Sequence, residues 1–294
     1  MNQTPAPATI TSVRNRRIVD ARKLDQRKHR RRQNQFLVQD APLLQMALDA
    51  GATPVNVFYC PGLCSDRRAA ALLARFQTTP AQTYPVSPPV MHSLCTRDAL
   101  PGIVATFELF EFEIDQLTIE GDQLVLLLDR LQDPGNVGTL IRTADAVGAA
   151  AVVLIEPCAD PFDPKTVRGS MGSLFNIPIV RTNDLDTLFG FLERNRLRIV
   201  GADVRRGVEW GSGILQGRVA LILGNEARGL SADVQANVHA NACLPIPGQA
   251  ESLNVAVAGG ILMYTWLKAN SGPGPGQDKK KRRRFAGGAC KAKP

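Results

Sequence analysis

Three stretches of this chain place polar side chains and glycines where an apolar run breaks off. The first is Asp133-Pro134-Gly135-Asn136-Val137-Gly138-Thr139-Leu140-Ile141-Arg142. Its proline and two glycines force a tight strand-to-helix turn. Asn136 sits where an N-cap belongs. Arg142, under two turns into the helix, is near enough for its long side chain to reach back to the strand tips. The second, Leu223-Gly224-Asn225-Glu226-Ala227-Arg228-Gly229-Leu230, adds a carboxylate to a glycine-rich turn. The third runs from Leu244 to Gly260 and carries Ile246, Glu251, Ser252, Leu253 and Asn254 ahead of Ala256, Ala258, Gly259 and Gly260. Two glycines in a helix cost about 1 kcal/mol each relative to alanine, so a close approach of that helix to neighbouring backbone is expected.

The residue types limit the chemistry. A guanidinium at the strand tips can bind a phosphate or offset charge developing on an oxygen. It cannot serve as a base, because it stays protonated in proteins. His29, His92 and His239 all lie outside the three stretches, so no histidine base is offered. The glycine spacing of a dinucleotide fingerprint and of a phosphate-binding Walker loop is absent. Six cysteines occur without a repeated pair: Cys60 and Cys64 are close, but no second Cys or His pair follows. They read as reduced thiols, and no metal site is expected.

The elements that must position these loops follow from hydrophobic pattern. Leu124–Asp129, Ala151–Ile155, Leu197–Ala202 and Val219–Gly224 are continuous apolar runs, as expected of strands buried on both faces of a parallel sheet. Helical patterns fall between and after them, at roughly 137–148, 184–195, 230–239 and 252–270. This predicts a doubly wound α/β domain over 123–270 with ligands at the carboxyl ends of its strands. Ahead of it a small α/β domain spans 12–108: strands at 36–38, 55–59 and 102–108, helices at 42–51 and 67–76, and a proline-interrupted stretch at 86–91. Residues 109–122 read as a linker, 1–11 as a disordered leader and 271–294 as a disordered tail.

Charge is unevenly spread. Residues 1–32 hold ten Arg/Lys against Asp20 and Asp25, and residues 271–294 hold eight against Asp278, while the whole chain is at +8. The body between them is therefore mildly acidic. Basic ends without an apolar face point to nucleic acid rather than a membrane surface. The chain has no 18-residue apolar window and no signal-peptide pattern at its start, so a cytoplasmic protein is expected.

Taken in order, Asn-Val-Gly-x-x-x-Arg, Gly-Asn-Glu-x-x-Gly-Leu and Ile-Pro-x-x-Gly-x-x-Glu-Ser-Leu-Asn-Val-Ala resemble the three signature motifs of the SpoU (TrmH) family of RNA 2′-O-ribose methyltransferases, over about residues 124–268. The resemblance implies a carboxyl-terminal trefoil knot, which strand patterns alone would not suggest. It implies S-adenosylmethionine as cofactor, held largely by backbone at Leu223, Gly224, Leu244, Ile246 and Leu253, and a homodimer. Arg142 would be the catalytic arginine, with Asn136, Glu226, Ser252 and Asn254 orienting it and the ribose, and Arg168 would face the RNA. The first domain resembles the substrate-binding domain of ribosomal-RNA members, with Arg14, Lys23, Lys28, Arg30 and Arg31 as RNA contacts. It departs from them at Gln39-Asp40, where Glu-Gly is common. The implied substrate is 23S ribosomal RNA. Thiostrepton- and avilamycin-resistance methyltransferases share the layout. The alternatives are a transfer-RNA methyltransferase and a non-catalytic RNA-binding protein on the same fold; the latter would be expected to lose Arg142 or Asn254, and both are present.

Overall fold

The basic stretch ahead of Asn34 is helical. In the computed structural model, which describes residues 8–95, 101–203 and 207–271, Asn15 caps a helix Arg16–Lys23 by accepting from the Arg17 N–H at 3.0 Å. Ile18, Ala21 and Leu24 are buried on one side of it, so the cations fall on the other by helical periodicity. A second helix, Arg27–Gln33, follows and ends on Asn34 in the left-handed region.

These helices belong to the first of two compact units, which runs to Phe110 and includes Phe162–Pro164. Its sheet comprises β1 (Gln35–Val38), β2 (Pro54–Tyr59), β3 (Gln82–Pro85) and β4 (Ile103–Glu108), in the order β1-β4-β2-β3. β4 is antiparallel to β1 and β2, and β3 runs parallel to β2. The proline-interrupted stretch at 86–91 resolves into a helix Pro88–Ser93 that begins on proline, and just ahead of it lies an edge strand the pattern did not suggest, β3, which ends at Pro85. Both are places where a missing N–H does no harm. Ile10 bridges Val86, so residues 8–11 of the expected leader are ordered. The rest of that leader, 1–7, and the expected tail beyond Ser271 lie outside the described residues.

The second unit, Glu111–Pro161 with Lys165 onward, holds β5 (Leu124–Asp129), β6 (Ala151–Ile155), β7 (Ile179–Thr182), β8 (Arg198–Ala202), β9 (Val208–Glu209), β10 (Val219–Leu223) and β11 (Ala240–Cys243). The sheet order is β7-β6-β5-β10-β8-β11-β9, and every pairing is parallel. Every residue of β5, β6 and β10 is buried. The expected helix at 230–239 is only Ala232–Gln235, and a turn at 236–239 leads into β11. The segment 109–122 is no free linker: Ile114, Leu117 and Ile119 are buried in the same core as Val125 and Ile222.

Two close approaches position the site. A Cβ on Gly259 would come within 2.5 Å of Leu223 Cδ1 and 2.6 Å of Leu140 Cδ2, so the last helix, Val255–Asn270, lies against both β10 and the helix Pro134–Ala146. Gly260 has open space around it, so only one of the two glycines is required by packing. A Cβ on Gly138 would come within 2.6 Å of Thr166 O and 3.0 Å of the Ser170 N, which brings the segment carrying Arg168 onto the helix of Arg142.

Candidate active site at the carboxyl edge of the sheet

All three loops leave the carboxyl ends of strands of one parallel sheet: β5, β10 and β11. The N-cap of the helix Pro134–Ala146 is Asp133 rather than Asn136. Asp133 Oδ1 accepts from the Asn136 N–H at 2.8 Å, and Pro134 follows at the first helical position, where its missing N–H is harmless. That releases the Asn136 amide for lateral bonds. Its Nδ2 donates to Glu226 Oε1 at 3.1 Å, and its Oδ1 accepts from Asn254 Nδ2 at 3.1 Å. Asn254 in turn caps the last helix, its Oδ1 accepting from Ala256 N–H at 2.9 Å and Val257 N–H at 3.3 Å. Each amide thus uses its oxygen and its nitrogen on different loops. The relay Asn254–Asn136–Glu226 joins the three motifs.

The middle loop is clasped on itself. Asn225 and Gly229 exchange two backbone bonds of 2.9 Å, and Asn225 Oδ1 accepts from the Ala227 and Arg228 N–H groups at 3.1 Å. Asn225 Nδ2 donates to Arg130 O at 2.9 Å, and fully buried Asp129 accepts from the Ser231 N–H at 2.6 Å, tying the loop to the end of β5. Gly224 is part of the clasp: a Cβ there would lie 2.3 Å from the Gly229 carbonyl carbon. Its glycine is required by the loop's own backbone before any ligand is considered. Asp133 and Asn225 were both missed as site-forming residues. Asp-Pro-Gly ahead of the helix carried the signal for the first, as a cap followed by proline; a self-clasping Asn has no comparable pattern.

Arg142 is exposed, and its guanidinium has no hydrogen-bond or ion-pair partner among the described residues. Gly138, one turn earlier on the same helix face, lies against Gly169 and Ser170. Arg142 therefore stands on the side of the helix met by the segment of Lys165 and Arg168. Arg168 is half-buried. Lys165 is paired with Asp133 at 3.0 Å. The Lys165 ammonium, with the Asn136 N–H, holds the Asp133 carboxyl below the usual carboxylate range. Ser252 is exposed and takes no part in the relay.

The five positions expected to hold the cofactor sit on this edge with unequal freedom. Leu223 is buried beneath Gly259, so only its backbone can meet a ligand. Leu244 and Ile246 are half-buried, and Leu253 is 36% exposed. None is charged, and β10 and β11 are separated only by β8, about 10 Å apart. Apolar side chains with loop backbone around them suit the adenosine part of S-adenosylmethionine.

On the first unit, Arg14, Lys28 and Arg31 are exposed, while Lys23 is paired with Asp20 at 3.5 Å. Arg30 corrects the expectation. Its side chain is 2% exposed and donates to Leu24 O at 2.8 Å and Asp25 O at 2.9 Å, with Asp163 at 3.6 Å. It is a buried tie inside its unit and cannot meet RNA. Gln39, at the position of departure, is also buried and donates its amide to Leu94 O at 3.1 Å. A carboxylate could not make that bond.

Comparison with known proteins agrees with the motifs. Residues 123–264 match the SpoU rRNA Methylase family, and residues 15–105 match the MRM3-like substrate binding domain. The chain is 34% identical to the 23S rRNA (guanosine(2553)-2′-O)-methyltransferase RlmP of Bacillus subtilis, over 87% of this chain and 97% of that one. It is 32% identical to the 23S rRNA (uridine(2479)-2′-O)-methyltransferase of Streptomyces viridochromogenes, over 89% and 92%. Among solved structures, the AdoMet-bound rRNA methyltransferase of Sinorhizobium meliloti superposes with a TM-score of 0.80 at 31% identity, covering 89% of this chain and 97% of that one. The AdoMet complex of the SpoU methyltransferase AviRb from Streptomyces viridochromogenes gives 0.80 at 30%, covering 87% and 98%. With the three motifs joined on one edge of a parallel sheet and the α/β-knot fold of these structures, the chain belongs to the SpoU family of RNA methyltransferases.

Proposed function

We infer that this chain methylates a ribose 2′-hydroxyl of 23S ribosomal RNA, using S-adenosylmethionine. The observation that carries this is the relay Asn254–Asn136–Glu226, which locks the three loops together at the start of the helix that carries Arg142. When bound, S-adenosylmethionine supplies an electrophilic methyl on sulfur. The chain's task is then to align the ribose hydroxyl with that methyl and to stabilise the oxygen as its proton leaves. Arg142 can do the second through its fixed charge, by binding the neighbouring phosphate and facing the oxygen. Its planar fork suits that geometry. The proton must leave to something other than Arg142, and the substrate's own phosphate is the acceptor that the arginine would hold in place. Arg168, Arg14, Lys28 and Arg31 are proposed RNA contacts.

We further propose that the protein acts as a homodimer in the cytoplasm. Val257, Ile261 and Tyr264 are 53%, 36% and 54% exposed on the last helix. They stand at i, i+4 and i+7, an apolar stripe next to Leu253 that a second copy would cover. No helix among the described residues is long and apolar enough to cross a membrane.

The test is transfer of labelled methyl to ribosomal RNA by the purified protein, followed by mapping of the site. One nucleotide should become resistant to alkaline cleavage at its 3′ side, and Arg142→Ala should lose that mark. Label recovered on a base instead of a ribose would overturn the reading.

A further inference from the structure

The opposite edge of the second sheet, where its strands begin, is also charged. Three neighbouring strands start on cationic or titratable residues: Arg218 precedes β10, Arg198 opens β8 and His239 precedes β11. Arg196 stands two residues before β8, in the left-handed region at φ 55°, where a helix end ordinarily carries Gly or Asn. These four, with Glu193 and Gln216, line a shallow depression of about 500 Å³.

Part of this charge serves the fold. Arg218 donates from Nε to Gly121 O at 2.9 Å and from Nη1 to Asn195 O at 3.0 Å, and Arg198 reaches Ile214 O at 3.4 Å. Arg196 does not: it is exposed, and its guanidinium has no hydrogen-bond or ion-pair partner among the described residues. His239 Nδ1 accepts from the Ile199 N–H at 3.1 Å. In the neutral ring that leaves Nε2–H as the outward donor. Donors therefore converge on the depression, against one carboxylate, Glu193.

The chain also departs from this edge. Asn270, at the end of the last helix, accepts from the Gly217 N–H at 2.7 Å and donates to Leu215 O at 3.0 Å, just before Arg218. The sequence that follows carries Lys279-Lys280-Lys281-Arg282-Arg283-Arg284. That run has the same sign of charge as the depression and so offers it no charge complement. The lining residues include no Phe, Tyr or Trp. The one ring, His239, is engaged through Nδ1 by the Ile199 N–H, and the three arginines make phosphate the ligand this surface favours.

We propose that this edge binds phosphates of the RNA backbone at a distance from the nucleotide being methylated. The inference rests on the RNA reading above. Strands of five residues put the depression about 17 Å from the catalytic loops, beyond the reach of the target nucleotide itself. Guanidinium forks match phosphate oxygens in pairs. Such contacts add affinity without sequence preference, through counterion release.

The experiment compares the full chain with Arg196→Gln/Arg198→Gln. Binding of a 23S ribosomal RNA transcript is followed against potassium chloride, and S-adenosylmethionine binding and melting are followed beside it. The slope of log affinity against log salt should fall by about one to two units, at roughly 0.7–0.9 per phosphate. KM for the long transcript should rise several-fold with kcat unchanged, and a short stem-loop around the methylated nucleotide should show no change. Arg196→Lys/Arg198→Lys should restore most of the slope. Arg196→Gln alone disturbs no hydrogen bond and so guards against misfolding; by itself it should lower the slope by about one phosphate's share. Unchanged slope and KM in a folded variant would overturn the proposal. So would titration of inorganic phosphate that shifts the His239 ring signals while RNA affinity ignores the substitutions, because the site would then serve free phosphate. Failure of the unmodified chain to bind RNA would instead overturn the function on which the proposal rests.

Discussion

Asn136 and Asn254 are 118 positions apart in sequence and meet at 3.1 Å. Arg30, Arg31 and Arg32 are adjacent in sequence and part company, the first buried and the other two exposed. In the carboxyl-edge loops Asn136, Glu226 and Asn254 each have a fixed partner supplied by a different strand end. In the basic segment the helix period decides which cation faces the core, and neighbours of identical chemistry acquire opposite roles. A motif defined by geometry survives the step from sequence to structure. A motif defined by composition is sorted by periodicity first.

The comparison can be broken most sharply at Arg142. Arg142→Ala should lower turnover on the order of 10²–10³-fold, the usual loss for a preorganised charge at a reacting oxygen. Arg142→Lys should fail nearly as badly, since a point charge does not replace a planar fork. Because Arg142 is exposed and without a partner among the described residues, melting should shift by no more than about 0.5 kcal/mol in either variant. S-adenosylmethionine affinity should be unchanged by calorimetry. Turnover near that of the unmodified chain in the lysine variant would remove Arg142 from its role.

The next largest effect separates two neighbouring arginines. Arg30→Gln leaves two inward carbonyls and Asp163 without their cation and should destabilise the first unit by about 3–5 kcal/mol in urea unfolding. Arg31→Gln should change stability by no more than about 0.5 kcal/mol and act only on the salt dependence of RNA binding. Equal stability of the two variants would mean that the burial of Arg30 contributes nothing.

What could be read beforehand follows the same division. The strands β5, β6, β8 and β10 were legible because an unbroken apolar run has few other uses in a parallel sheet. β7 and β11, Ile-Val-Arg-Thr and Ala-Asn-Ala-Cys, were not: they are short, half polar, and nearer the sheet margins. The helices at 16–33 were hidden by their own charge, since Ile18, Ala21 and Leu24 are thinly spread among ten basic residues of the first 32. Glu226, Asn136 and Asn254 were legible as members of motifs, but not as partners of one another. Asp-Pro-Gly marks Asp133 as a cap followed by proline, but nothing local in sequence says that the freed Asn136 amide then reaches Glu226 and Asn254. Ser252 was named by the same motif and stands outside the relay.

The relay itself can be separated from helix capping. Asn254→Asp keeps an acceptor for the Ala256 and Val257 N–H groups, and Asp caps about as well as Asn, so melting should stay within a few tenths of a kcal/mol. The new carboxylate cannot donate to Asn136 Oδ1. If the Asn136 amide turns over to donate to it, the amide oxygen then faces Glu226, and one bond of the relay is lost either way. A lost bond of about 0.5–1.5 kcal/mol should appear as a threefold to tenfold fall in kcat/KM. Asn254→Ala should show that loss plus about 1 kcal/mol of stability from the missing cap. Activity unchanged in the aspartate variant would reduce the relay to a packing detail.

The smallest effect concerns the charged member of the first loop. Asp133 caps its helix and holds Lys165, and both interactions keep its carboxyl ionised below the usual range. A folded-state pKa below the unfolded value of about 3.9 means that the charge stabilises above that value and is lost as pH falls through the folded one. Asp133→Asn retains a capping oxygen but removes the charge, so the difference between the two proteins isolates the ionic part. With both side chains about half exposed, that part should be a few tenths of a kcal/mol at neutral pH and low salt. It should shrink as salt is added, and should close as pH is lowered well below 4. Melting curves of the two proteins at pH 7 and near pH 3, each at low and high salt, measure it. A gap that persists in acid would show that the difference lies in side-chain packing and not in charge. The first loop would then be held by its hydrogen-bond geometry rather than by the charge of Asp133, which would sharpen its contrast with the basic segment.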